Sequence, residues 1–267
     1  MRTNSLSRHY ASYGALIGLV IASVAHAQVS TINSVVINPR EFNDIPGATL
    51  NVGTIYQPFP HPSLISFTEQ GVSAPNGFAN RDAWRFSDNS GVYDFQNNDY
   101  FSVSMSLTLM GSPNSPRKEA GFLFNTLGGD GQFIVNTDNH EVVAFGGPLP
   151  FFAFPSTFNS GDTITLGMKY FLDSNTGLRS IVYSANGVNS PILALSNLEQ
   201  GIINGSTLGG YLQIVNAAND PSNSGIAVFQ NINITAIPEP SVLALIGLSI
   251  LPLGLMLHRR AKSSVSV

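Results

Sequence analysis

Tyr100-Phe101-Ser102-Val103-Ser104-Met105-Ser106-Leu107-Thr108-Leu109-Met110 alternates between apolar and hydroxyl residues without a break. Successive side chains of a β-strand point to opposite faces. This stretch therefore presents Phe101, Val103, Met105, Leu107 and Leu109 to a core and Ser102, Ser104, Ser106 and Thr108 to the outside. The pattern recurs in Thr163 to Leu172, where Ile164, Leu166, Met168 and Tyr170 share a face, and in Gly225 to Thr235. Asp173-Ser174-Asn175-Thr176-Gly177 is a turn-forming cluster and predicts a hairpin into Arg179 to Ala185. Shorter strands are expected at Ile32 to Ile37, Ala83 to Phe86, Gly121 to Asn125, Gln132 to Asn136, Glu141 to Phe145, Ile192 to Leu195 and Tyr211 to Asn216. Many short strands separated by turns, with no long helical pattern between the chain ends, predict an all-β antiparallel sandwich of two sheets.

The two chain ends differ from this body. Arg2 and Arg8 precede the apolar, small-residue stretch Ala11 to Ala25, and Ala25-His26-Ala27 has the small-x-small form of a leader-peptidase site. Residues 1–27 are expected to form a signal helix, with cleavage after Ala27; an uncleaved N-terminal anchor is the competing reading. At the other end, Pro238-Glu239-Pro240 is followed by the uncharged run Ser241 to Leu257 and then by His258-Arg259-Arg260-Ala261-Lys262. Seventeen uncharged residues at about 1.5 Å each make roughly 25 Å of helix, slightly less than a hydrocarbon core of about 30 Å. Pro252 would kink the span and Gly247 and Gly254 lower its helix propensity, so a buried core helix of a soluble domain is the competing reading; the cations directly after the span, which hold their side of it in the cytoplasm, argue against that. A transmembrane helix at 241–257 with residues 263–267 as a short cytoplasmic tail is the expectation.

The order Pro238-Glu239-Pro240, apolar span, Arg259-Arg260 resembles the PEP-CTERM sorting tail of exported bacterial proteins. The resemblance covers residues 238–262. It implies passage across the inner membrane, transient anchoring there, recognition by an exosortase, release to the cell surface or beyond, and association with exopolysaccharide. A permanently anchored surface protein is the alternative in which the tail is never cut. Between the two ends, the run of strands from Phe101 through Val228-Phe229-Gln230-Asn231-Ile232-Asn233-Ile234 resembles concanavalin A-like lectin and glucanase jelly rolls over roughly Asp99 to Thr235. Residues 29–98 are expected to add a first strand that pairs with the last, together with long loops.

Composition restricts the function. The body 28–237 holds fifteen acidic and seven basic residues, a formal charge of 7 − 15 = −8, so no basic stripe suits a phosphate backbone and nucleic acid is not an expected partner. The chain has no cysteine, which removes disulfides, thiolate metal sites and cysteine nucleophiles. A body of this length buries about 70 to 75% of its unfolded surface and can rest on one core.

Resemblance to glucanases would imply catalytic carboxylates at alternate positions of one strand, Glu-x-Asp-x-Glu, roughly 5 to 5.5 Å apart. No such spacing occurs. His140-Glu141-Val142-Val143-Ala144 begins like a zinc-protease helix but lacks the second histidine, and Asp173 to Gly177 lacks the later ligands of a calcium loop. No Gly-x-Ser-x-Gly elbow or phosphate-binding loop is present, and only His61 and His140 lie in the body. The expectation is a protein that is not an enzyme, with no catalytic residues, no metal site and no cofactor; acidic loops leave calcium open without fixing a site. Carbohydrate-binding candidates are Trp84 and Tyr93 as stacking platforms and Asp138, Asn139 and His140 as hydroxyl partners, with interior packing as the competing role for Trp84. The apolar loop Phe145 to Phe154 either lines a groove or folds onto a sheet edge. The alternative of another class is a polysaccharide hydrolase or lyase, which requires reactive side chains converging on one face.

Overall fold

A computed structural model of the protein describes residues 28–56, 62–73, 76–88, 90–112, 116–195, 203–215 and 220–238. The signal stretch with Ala25 and Ala27, and Glu239, Pro240, Arg259 and Arg260, lie outside the described residues, as does the span 241–257. No helix among the described residues is long and apolar enough to cross a membrane. Residues 28–237 form one compact unit.

After a 3-10 turn at Gln28–Thr31 the described residues form sixteen strands. These are β1 (Ser34–Asn43), β2 (Thr49–Tyr56), β3 (Pro62–Gln70), β4 (Ala79–Asp88), β5 (Gly91–Val92), β6 (Phe101–Ser112), β7 (Lys118–Thr126) and β8 (Gly129–Asn136). Then follow β9 (Val142–Phe145), β10 (Phe152–Ala153), β11 (Thr163–Leu172), β12 (Arg179–Ala185), β13 (Val188–Asn189), β14 (Leu193–Ala194), β15 (Thr207–Val215) and β16 (Ser224–Ala236). One sheet, A, runs β1-β4-β15-β7-β8-β9-β10 with β5 on β4; the other, B, runs β13-β12-β11-β6-β16-β3-β2 with β14 on β12. Every pairing is antiparallel. The fold is the expected two-sheet jelly-roll sandwich.

β6 shows why. Phe101, Val103, Met105, Leu107 and Leu109 are buried, and the hydroxyl residues between them line the outside of sheet B, where Thr108 and Thr163 hydroxyls meet at 2.6 Å. The expected hairpin joins β11 to β12. Its turn closes with the Leu178 carbonyl accepting from Asp173 N–H at 2.9 Å, and Gly177 supplies a φ of 71° that a side chain would resist. The first strand does not pair with the last. β16 lies between β3 and β6, and β1 pairs with β4 in the opposite sheet. β2 and β3 had no clear alternating signature because Pro62, Gly53 and the polar residues of Thr49 to Gln70 dilute it.

The two sheets meet over Trp84, Phe86, Phe67 and Phe229. The Trp84 ring packs edge-on to Phe86 at 5.2 Å and to Phe229 at 5.9 Å, and Phe67 packs against Phe229 at 6.0 Å. β15 comes close to Trp84 because Gly210 has no side chain: a Cβ there would lie 2.6 Å from the indole nitrogen.

A polar bridge also joins the sheets. Arg40 on β1, held at φ 59°, forms an ion pair with buried Glu69 on β3, while its backbone N–H donates to Asp82 Oδ1 on β4 at 2.8 Å. Asn80 Nδ2 donates to Glu69 Oε2 at 3.2 Å. Asp82 Oδ2 has no hydrogen-bond partner, and the carboxyl is buried beside Glu69. Burial first, and then the neighbouring Glu69, push Asp82 up to about 7 from an ordinary 3.8. The unfolded chain loses that proton near pH 4 and the folded chain near pH 7, so the folded state binds more protons in between. Thermal stability is therefore expected to fall as pH rises from 4 to 7 and to level off above. Asp82→Asn should flatten that part of a Tm-against-pH profile; an unchanged slope would show that another group sets it.

Candidate functional site

The outward face of sheet A differs in kind from that of sheet B. The strands of sheet B carry three charged residues, Glu69 on β3, which is buried, and Lys169 and Arg179 on β11 and β12. β1, β4, β7 and β8 carry Arg40, Glu41, Arg81, Asp82, Arg85, Asp88, Lys118, Glu119 and Asp130. Antiparallel register decides which of these meet. Arg81 is opposite Gln213, Ala83 opposite Tyr211, Tyr211 opposite Gly121, and Gln213 opposite Glu119. Residues opposite one another in a ladder point to the same face, so Arg81, Arg85, Tyr211, Gln213 and Glu119 come together on the outside.

At the centre the Tyr211 hydroxyl donates to Glu119 Oε1 at 2.9 Å. Arg117 Nε donates to the other carboxylate oxygen, Glu119 Oε2, at 2.7 Å. The Arg81 guanidinium lies 5.4 Å over the Tyr211 ring, anchored by Nε to Gln213 Oε1 at 2.8 Å and by an Nη to Asp130 Oδ2 at 2.9 Å. Arg85, one step further along β4, donates to Glu41 at 2.6 Å. Tyr211 is fully buried, and burial, reinforced by the charge of Glu119, holds its phenol well above the ordinary value of 10. Beside this polar group Ala83, Leu123, Ile134 and Val143 make an apolar cluster with Tyr211, with Phe145 at its margin. The arrangement contains a protonated phenol in contact with a carboxylate, between guanidinium groups.

Lys118, one residue before Glu119, points the other way. Its stem runs between the sheets over Gly111 and Gly225, which are paired across β6 and β16, and burial lowers its amine to about 8. It belongs to the core.

The carbohydrate-binding candidates fall elsewhere. Trp84 is wholly buried and Tyr93 nearly so, with its hydroxyl donating to Asp99 at 3.0 Å. Neither can stack on a sugar, because period two along β4 sends Trp84 inward while its neighbours Ala83 and Arg85 face out; both assignments are corrected. Asp138, Asn139 and His140 form the connection between β8 and β9. Asn139 N–H donates to Asn136 Oδ1 at 3.1 Å, His140 Nδ1 lies 2.9 Å from the Phe158 carbonyl, and Asp138 is 3.8 Å from Arg117. Only Asp138 thereby touches the group on sheet A. In the loop Phe145 to Phe154, Leu149 and Phe154 are buried, Phe154 stacking on Phe133 at 5.8 Å, and Phe151 is exposed. Pro238 is exposed at the end of the described body. Among the described residues no group of three or more His, Asp or Glu side chains could hold a metal.

The sequence did contain a signal for the missed residues. Arg81-x-Ala83-x-Arg85 and Tyr211-x-Gln213 each place their members on one strand face. What it lacked was the pairing of β4, β15 and β7, which brings the two sets side by side.

No protein-family model matches the chain, and no curated protein matches it. Solved structures do. An alginate lyase from Pseudomonas aeruginosa is 17% identical, covering 65% of this chain and 82% of its own, with a TM-score of 0.49. An alginate lyase of polysaccharide lyase family 7 is 12% identical over 66% of this chain and 79% of its own, TM-score 0.43. A marine one from Zobellia galactanivorans is 10% identical over 65% and 78%, TM-score 0.42. At these identities the likeness is one of fold. The expectation of a protein that is not an enzyme does not stand: it assumed that no reactive side chains converge, and the outward face of sheet A carries an acid, a phenol and guanidinium groups in contact.

Proposed function

We propose that this chain is an exported polysaccharide lyase, cleaving uronate-containing chains such as alginate by β-elimination on the outward face of sheet A. The observation that carries the reading is the Tyr211–Glu119 hydrogen bond set between Arg81 and Arg117. β-Elimination needs a cation on the uronate carboxylate to acidify the neighbouring C5–H, a base for that proton, and an acid for the departing O4. Arg81 is suited to the first role. Its partner Asp130 is 39% exposed, and so exposed a pair is worth little, which lets a substrate carboxylate replace it and draw Arg81 off the Tyr211 ring. Tyr211 is fully buried and Glu119 nearly so in the substrate-free protein, so the step requires Arg81 to leave the ring first; Glu119 then takes the C5 proton and Tyr211 gives its own to O4. The C5–H and C4–O bonds break, a C4=C5 double bond forms, and no water is consumed. Afterwards a proton passes from Glu119 to the tyrosinate along their 2.9 Å contact, restoring the starting pair. A carboxylate–phenol pair that resets itself favours elimination over the hydrolysis alternative, which needs two carboxyl groups flanking the bond.

The signal stretch 1–27 and the sorting tail 238–262 would carry this activity across the inner membrane and hand the protein to an exosortase, placing it at the cell surface or in the surrounding exopolysaccharide. Incubating the protein with a panel of uronate and neutral polysaccharides tests the activity by the near-ultraviolet absorbance of the unsaturated uronate. Absorbance growth on uronate chains alone is the expected result; reducing ends without unsaturation would mean a hydrolase. Intact-mass measurement on protein from its native cell envelope tests the processing. Loss of residues 1–27 and of the apolar span is expected.

A further inference from the structure

The two strand orders have four ends, and three are guarded. β10 and β13 are two residues long. β1 carries Pro39, a register break between Asn38 and Phe42, and the charged pair Arg40 and Glu41. All three devices discourage a further strand from pairing with an edge. β2 is neither short nor charged nor interrupted by proline, and its one register shift, between Ile55 and Tyr56, falls at its last residue. Its eight residues, Thr49-Leu50-Asn51-Val52-Gly53-Thr54-Ile55-Tyr56, contain no charge and no proline, and they pair with β3 without a break from Thr49 to Ile55. Val52, Ile55 and Tyr56 are 42, 53 and 62% exposed, and no described strand pairs with the other edge.

We propose that β2 pairs, antiparallel, with β2 of a second copy of this chain, joining two B sheets into one continuous sheet. Charge selects this occupant. Each body carries −8, concentrated away from β2, β3, β16 and β6, whose one charged side chain is the buried Glu69. An approach through β2 sets two uncharged strands against each other. A two-fold axis at the strand also makes the contact self-complementary and closed, so it ends at a dimer. The outward face of sheet A stays open on both copies.

Sedimentation velocity on the 28–237 body, which holds the complete core, from micromolar to millimolar concentration, combined with hydrogen exchange of the β2 amides, tests this. A monomer–dimer equilibrium is expected, with exchange across 49–56 slowing as dimer accumulates. The dimer should tighten between about 0.01 and 0.15 M salt, as screening removes the repulsion of the two bodies. Ile55→Lys should weaken it tenfold or more with an unchanged circular dichroism spectrum, and Ser174→Lys on the remote β11–β12 turn should not. A monomer at every concentration, a dimer that leaves β2 exchange unchanged, or one that loosens with salt would overturn the proposal. Should Ile55→Lys not fold, the exchange measurement on the unmodified protein decides.

Discussion

Tyr211→Phe is expected to lower turnover of a uronate polysaccharide by about 10²- to 10⁴-fold, the range over which a positioned proton donor contributes. The substitution removes one oxygen. The ring keeps its place between Arg81 and the apolar cluster of Ala83, Leu123, Ile134 and Val143, and Glu119 keeps Arg117 as a donor on its other oxygen. Glu119 Oε1 loses its donor, so stability should fall by about 1 to 3 kcal/mol, and turnover compared well below Tm should show the loss in kcat rather than in KM. Glu119→Gln should produce a comparable loss by removing the base. If Tyr211→Phe retains full turnover with unsaturated product still forming, the acid is another group and the site lies elsewhere.

Trp84→Ala has the largest expected effect on stability, a loss of about 3 to 5 kcal/mol, the usual cost of truncating a buried aromatic. The indole fills the space between the sheets against Phe86 and Phe229, and β15 reaches it only through Gly210. On β15 the position facing the void is Gly210, which has no side chain to fill it. In a body of this size the change should lower Tm by about 10 °C or more. Differential scanning calorimetry measures it. Were Trp84 a sugar platform, the variant would instead lose polysaccharide binding at unchanged Tm.

The strands with strict alternation were legible because one face of each is buried and the other is wet. β6 and β11 therefore match their sequence patterns almost residue for residue. β7 and β15 were found only in part. Ala120, Phe122 and Phe124 face the core, yet Leu123 and Tyr211 on the opposite face are buried as well, so the polar half of the alternation is missing. That double burial is itself the mark of the site. Trp84 was ambiguous for a related reason: a lone tryptophan near two arginines suits a binding face or a core anchor, and the strand's phase, set by Phe86, settled it as an anchor.

Chemical character along the chain was enough to determine the all-β class, the apolar and basic character of the two ends, and the confinement of charge to a few strands. It could not determine neighbours. Tyr211 and Glu119 are 92 residues apart and meet only because β15 and β7 pair in one register, which depends on the fit of whole strands against the core and on no local feature. The raised Asp82 carboxyl likewise depends on the two sheets closing over it, since burial is the first cause of its shift.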